Sequence, residues 1–437
     1  MINFYFKQAW EILKQNRFYS TIYVLATGFS ISMIMVLAIV LYIKTANVYP
    51  ETGRDRMLIM NYGEAKNKDG DTGLSRLSFE TIQKCIYSLQ TAEAVSAVYN
   101  VWPDISIQPD NSAEQIPAKA KYVDTGFWKV FSFLFVDGKP FTEADMQSGI
   151  KTVVISESFA RQLFGTTEAT GKQISISFNS YRICGVVKDV SYIADKTYAQ
   201  CWIPYTALPS LTAAWQQEMY ENTLGSFTGY ALASSKSEVN TVRGEILSNV
   251  NRYTSSLKYV TLNLFGQPDS HLLSLFRLSN RQDINITKIF LQYFLLILVI
   301  LLIPAIGLSG MTDSQMDKRL SEIGIRRSFG ATRKSVIKQL ITENLLLTFL
   351  GGITGLLFSY LFVYSFRKWI IHIGTGQVFA NAVPQGVDVA LSPSMFMNYT
   401  VFGFSLLICL ILNIMITVFP AWHASRQQIV YSINTKK

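Results

Sequence analysis

Hydrophobic and polar positions divide this chain sharply. Four windows contain no Asp, Glu, Lys or Arg: Phe18 to Ile43, Ile289 to Thr312, Asn344 to Phe366, and Val389 to Ser425, whose apolar heart is Phe396 to Phe419. Each supplies the roughly 20 apolar residues that a helix needs to cross about 30 Å of hydrocarbon. They predict four transmembrane helices, at 18–44, 289–311, 341–366 and 396–419. A fifth uncharged window, Thr197 to Gln217, contains Pro204 and Pro209 and is rich in Gln, Thr and Ser, so it is not read as a span. The first window is read as a retained helix. Its uncharged run exceeds the roughly 7–15-residue core of a cleaved signal, and no small-x-small site with a polar continuation follows it.

Between the first and second windows the pattern changes to that of a folded α+β domain, 45–286. In TVVISESFARQLFG a β-branched run, Thr152 to Ile155, precedes a Ser156 that can cap a helix with Phe159, Leu163 and Phe164 on one face; Gly165 then ends it. KQISISF and YRICGVVKDV alternate like strands and are separated by Asn179-Ser180, which predicts a hairpin with one half-buried face. At the other end, residues 1–17 place Phe6, Ala9, Trp10 and Leu13 at helical spacing, with Lys7, Lys14 and Arg17 elsewhere on the wheel. Two readings stand: an interfacial helix with its basic groups on anionic lipid, or an ordinary helix packed on protein.

Composition agrees with a membrane protein: the 437 residues are 49% apolar, and the mean hydropathy is +0.22. The formal net charge of +9 concentrates in the flanks of the apolar windows, so topology accounts for it and nucleic acid is not an expected partner. Segment 312–340 carries Lys318, Arg319, Arg326, Arg327, Arg333, Lys334 and Lys338, whereas the loop after the third window offers only Arg367 and Lys368. Basic loops resist translocation. The first of these loops is therefore expected in the cytoplasm, with both termini, and the 45–286 domain outside a prokaryotic cytoplasmic (inner) membrane.

Candidate catalytic chemistry is sparse. His271, His372 and His423 are scattered, and Cys85, Cys184, Cys201 and Cys409 make no C-x-x-C pair, so no metal site is expected. The exterior cysteines are read as buried, reduced small hydrophobes. Gly165 to Gln173, GTTEATGKQ, superficially resembles a phosphate loop, but it has five residues between its glycines and ends in Gln where a magnesium-binding Ser or Thr belongs. It is read as a turn. No G-x-S-x-G elbow occurs, and no carboxylate pair lies inside a span. A non-catalytic chain without a cofactor of its own is expected.

Two further patterns concern helix packing and the cytoplasmic loop. Gly351 and Gly355 form G-x-x-x-G in the third window, and Gly28 with Ser32 gives small-x-x-x-small in the first. Such pairs let backbones approach closely, either at a dimer interface or within one protomer. In SEIGIRRSFGATRKS, Leu320 and Ile323 share a helical face, Gly330 suits a left-handed stop, and Thr332 can cap a following helix with Val336, Ile337 and Leu340. The stretch reads as helix, tight turn, helix.

EIGIRRSFGATRKSVIKQLITENLLLTFLGGITG resembles the signature of the FtsX-like permease family, to which MacB-type exporters and lipoprotein-releasing permeases belong. YVDTGFWKVFSFLFVDGKPF, VVISESFARQLFG, GKQISI, YRICGVVKDV and CWIPYTAL are similar, in order, to blocks of the MacB-type periplasmic core, and FPAWHASRQQIVYSI resembles the family's ending. Ser328, Trp422 and His423 depart from the usual residues.

The resemblance implies the permease subunit of a type VII, MacB-like ABC transporter, 287–437 being the FtsX-like permease domain. Its partners would be a separate ABC ATPase, which would hold the ATP and Mg, a second permease copy or a related permease, and the lipid membrane. A periplasmic adaptor and an outer-membrane channel would be further partners of an exporter. Loop 312–340 becomes the coupling element, with Glu322, Gly324, Arg326, Arg327, Gly330 and Arg333 as candidate ATPase-coupling residues; alternatively the arginines only enforce topology and meet lipid phosphates. Three functions are weighed: export of an amphiphile, peptide or lipoprotein from the extracytoplasmic side; FtsX-like regulation of an envelope enzyme without transport; and a membrane-anchored receptor or scaffold.

Overall fold

The computed structural model describes residues 17–101, 104–109, 115–191, 194–211, 220–277, 285–288 and 332–366, together with scattered positions in 290–299, 325–330 and 402–414. The chain divides into two compact units, 44–285 and the combination of 1–43 with 286–437.

The 44–285 unit is built on a mixed sheet of 16 strands among the described residues. Its longest pairing joins Phe227–Ala233 to Ala92–Asn100, antiparallel from Phe227↔Tyr99 to Ala233↔Ala92. Two parallel pairs lie further along: Cys201–Pro204 on Ala120–Val123, and Asn179–Val187 on Thr152–Ser156. Parallel neighbours need long crossovers, whereas antiparallel ones need only turns; the mixture is what makes the unit α+β. Thr152–Ser156, Cys201–Pro204 and Phe227–Ala233 are buried along their whole length, so they read as continuous apolar runs and not as alternations. Helix Val239–Ser256 turns Val242, Ile246, Asn249, Val250 and Tyr253 inward, an apolar stripe at three- and four-residue spacing.

Local signals in the sequence act as expected. Ser156 Oγ accepts from the Phe159 N–H, and Gly165 closes helix Glu157–Phe164 at φ +70° with its N–H on the Arg161 carbonyl. Only glycine adopts that backbone without a side-chain penalty. The hairpin is present, but its turn lies at Ser177-Phe178, with φ of +49° and +64°, and not at Asn179-Ser180. Ile174↔Tyr181 and Ile176↔Asn179 pair across the two strands, and the neighbouring strand sets Ile107 opposite Ile176. Cross-strand packing of those apolar residues fixes the register and overrides the turn preference of Asn-Ser. Thr197 to Gln217, where described, holds strand Cys201–Pro204 and two short 3-10 turns.

In the other unit, helix Arg17–Thr45 contains an apolar stretch Ser20–Ile39, and helix Arg333–Ser365 contains Leu345–Ser365; both are long and apolar enough to cross a membrane. Large apolar side chains point outward from both, among them Phe29, Phe349, Leu357 and Leu361. A helix apolar on every side is suited to lipid. Arg333–Ser365 runs unbroken from the expected loop into the third window. The windows at 289–311 and 396–419 are described only at scattered positions, all helical. The 1–16 segment and the C-terminal ending lie outside the described residues.

Candidate coupling elements

Where the two described apolar helices cross, Gly28 faces Gly351 and Gly355. A Cβ on Gly355 would stand 2.7 Å from the Gly28 carbonyl oxygen, one on Gly351 would stand 2.9 Å from Thr27 Cβ, and one on Gly28 would collide with Thr354 Oγ1. At Gly355 the obstacle is backbone, which cannot yield as a flexible side chain can, so a side chain there would force the two helices apart. This crossing lies within a single chain. Ser32 is buried, but its hydroxyl donates to Phe29 O of its own helix at 2.9 Å. Ile31 and Met35 continue the contact and meet Phe402.

The turn before the second of these helices has Gly330 at φ +91° in open space. Thr332 then caps the helix by accepting from the Ser335 N–H at 3.3 Å. A left-handed glycine suits the end of one helix, and the Thr332 cap starts the next. Glu322, Gly324, Arg326 and Arg327 lie outside the described residues, and Arg333 is described only as the first residue of the helix. The sequence reading missed Ile325 and Phe329, which are 50% and 88% exposed at this turn; Phe329 N–H bonds Ile325 O, so the pair sits one helical turn apart. Their signal was their apolar character inside an otherwise charged stretch.

A third element lies where the first helix enters the 44–285 unit. Arg54 and Glu51 form an ion pair at 2.7 Å with side chains 1% and 0% exposed. Arg54 Nη1 also donates to Ala46 O at 3.0 Å, and Glu51 Oε1 accepts from the Thr197 N–H and hydroxyl at 3.1 and 2.9 Å. Two buried charges are tolerated here because each finds its opposite and several further hydrogen bonds. Asp269 and Arg277 pair in the same manner, through two bonds of 2.6 and 2.8 Å, and Arg277 Nη2 donates to Phe265 O at 3.0 Å. His271 is buried with Nε2 3.0 Å from Lys44 O. A carbonyl can only accept, so Nε2 carries the proton. Nδ1 is buried without a hydrogen-bond partner, and burial, with Arg54 adding to it, holds the imidazole below its ordinary value. These groups ended up together through tertiary pairing, and no local motif announced them.

The Ala169 and Thr170 N–H groups in the glycine-bounded turn are taken by Asp137 Oδ2 at 3.0 and 2.9 Å, so the donors a phosphate would need already serve a carboxylate. Burial pushes the Cys85 and Cys184 thiols up to about 12 and raises Cys201 as well; all three are free. Among the described residues no group of three or more His, Cys, Asp or Glu could hold a metal ion.

Residues 20–248 match the MacB-like periplasmic core domain, and residues 294–429 match the FtsX-like permease C-terminal domain. An uncharacterised ABC transporter permease, YknZ, of Bacillus subtilis is 25% identical over 254 residues, 56% of this chain and 57% of that protein. The macrolide export ATP-binding/permease protein MacB of Escherichia coli K12 is 22% identical over 264 residues, 58% of this chain and 37% of MacB. The pyoverdine export ATP-binding/permease protein PvdT of Pseudomonas savastanoi pv. phaseolicola is 24% identical over 240 residues, 54% of this chain and 34% of PvdT. The aligned part thus spans from about a third to somewhat over half of these relatives. Among solved structures, the extracellular domain of YknZ from Gram-positive bacteria covers 46% of this chain and 100% of its own, at 16% identity and a TM-score of 0.32.

Proposed function

The chain belongs to the family of MacB-like and FtsX-like ABC transporter permeases, and from that premise we propose that it transmits ATP-driven motion from a separate ATPase on the cytoplasmic side to its α+β domain outside. The carrying observation is one of order along the chain. A helix long enough to span a membrane opens the segment that matches the core domain, 20–248, and a segment that matches the permease domain, 294–429, follows it.

In this reading four helices cross the membrane, both termini are cytoplasmic, and the Gly330 turn is the grip for the ATPase. Exposed Ile325 and Phe329 supply the apolar part of that grip, while Glu322, Arg326, Arg327 and Arg333 supply charge. An apolar anchor within a polar rim is the usual composition of a transient interface. The working unit is a dimer of this chain or a pair with a related permease. Two of the relatives are named as exporters of a macrolide and of pyoverdine, which supports export of an amphiphile, peptide or lipoprotein over regulation without transport.

Purification of the full chain in mild detergent tests the proposal. An ABC ATPase should co-elute, and ATP turnover should disappear when that partner's phosphate loop is mutated. Robust turnover by the chain with no ATPase present would overturn it.

A further inference from the structure

The C-terminal end of the first membrane helix is held by side chains from far along the sequence. The last carbonyls of any helix lack partners within it. Here Lys44 O, at the end of Arg17–Thr45, accepts from His271, 227 residues away, and Ala46 O just beyond accepts from Arg54. His271 is itself fixed on both sides. Asp269 and Ser270 pair with Ile59 and Leu58 of strand Met57–Met60, and Ser270 caps helix His271–Phe276. Arg277, after that helix, is locked to Asp269 and to Phe265 O. The sequence beyond continues to the 289–311 window. His271 therefore ties the end of helix Arg17–Thr45 to the Asp269–Ser270 strand and, through it, to strand Met57–Met60.

We propose that His271 is a positioning residue of the transmission step, a clasp whose Nε2–H bond to Lys44 O makes the end of the first helix move with the paired strands Met57–Met60 and Asp269–Ser270. This rests on the permease reading above. Without the clasp, Lys44 O loses the donor that ties it to this strand pair, and displacement of the first helix would be absorbed in the chain between Lys44 and strand Met57–Met60. The groups facing the imidazole, Arg54, Glu51, Asp195 and Lys196, surround it without replacing its donor to Lys44 O.

Two variants separate a clasp from mere packing. His271→Gln keeps a neutral N–H donor at about the reach of Nε2, whereas His271→Leu keeps an apolar side chain but leaves Lys44 O unsatisfied. The reporter is a fluorophore on a Phe178→Cys variant. Phe178 is 95% exposed at the hairpin tip. It directly precedes the nine-residue strand Asn179–Val187, and Lys188 O, just beyond that strand, accepts from the Tyr49 hydroxyl, so the tip lies about 30 Å from that anchor. The full chain, co-purified with its ATPase and placed in nanodiscs, is read for the change in emission per ATP hydrolysed.

The expected result is an unchanged response in His271→Gln and a loss of about fivefold or more in His271→Leu, with ATP turnover little altered in both. A full response in His271→Leu, or equal losses in the two variants, overturns the clasp. Should His271→Leu fail to fold, His271→Phe, which keeps a ring but has no donor for Lys44 O, takes its place and is read against His271→Gln by the same criteria. A wild-type chain with no bound ATPase or no ATP response removes the permease reading, and the clasp falls with it.

Discussion

Gly28 and Glu51 lie on one continuous stretch of chain, yet they hold the protein together by opposite means. Around Gly28 nothing but hydrogen separates two helix backbones; around Glu51 two full charges and a threonine are packed out of water. The difference follows from the solvent. Lipid gives apolar side chains no reason to leave it, so helices associate through close packing of small residues. In water, burial of apolar strands supplies the drive, and a buried charge pair survives within such a core only when every partner is present. One unit is therefore sensitive to added volume and the other to removed charge.

Breaking the charge pair should have the largest effect. Glu51→Ala leaves Arg54 buried beside Ala46 O without its carboxylate and should cost the 44–285 unit about 3–5 kcal/mol, seen as early loss of hydrogen-exchange protection in Val239–Ser256. Protection of the Leu345–Ser365 stretch should persist.

Adding volume to the crossing should do the reverse. Gly355→Val drives a branched side chain into the Gly28 carbonyl and should destabilise the helix pair by about 1–3 kcal/mol, lowering the thermal midpoint of detergent-solubilised protein. Exchange in the exterior unit should stay as in wild type. Equal effects of both substitutions on both units would end the contrast.

A smaller loss, about 1 kcal/mol, is expected for Ser156→Ala, which removes the cap of Glu157–Phe164 and should speed exchange in that helix alone. His271 adds a pH signature. Its folded value is depressed by burial below the ordinary 6.5, so in the window just below 6.5 the unfolded chain binds more protons and stability rises with pH. Acidification through that window should therefore destabilise the exterior unit. His271→Gln should flatten the dependence, and an unchanged slope in that variant would assign it to other groups. The smallest effect is an absence: the thiols of buried Cys85 and half-buried Cys184, raised to about 12, should resist maleimide at neutral pH until the domain unfolds.

Local chemistry was legible in the sequence wherever one short segment carried the whole signal. The two described apolar helices followed from uncharged runs, the Ser156 cap and Gly165 stop from spacing, and the Thr332 cap with the left-handed Gly330 from a turn flanked by helical patterns. Gly351 and Gly355 announced close packing, but only the crossing shows that Gly28 of the same chain is their partner. The hairpin turn was misplaced by two residues because pairing of Ile174 with Tyr181 outweighs turn preference. The junction of Glu51, Arg54, Thr197 and His271 was invisible. Its members are separated by up to 220 positions, and as an isolated histidine with no metal-binding spacing His271 offered nothing to read.

The most direct measurement is the side of the membrane on which two exposed aromatic positions lie. Phe178→Cys, 95% exposed on the exterior hairpin, and Phe329→Cys, 88% exposed beside the Gly330 turn, are each treated with an impermeant maleimide in spheroplasts and again after permeabilisation. The account predicts that the Phe178→Cys protein is labelled at once and the Phe329→Cys protein only after permeabilisation. Labelling of both from the outside, or of neither before permeabilisation, would place the turn and the domain on one side and leave nothing to be coupled across the membrane.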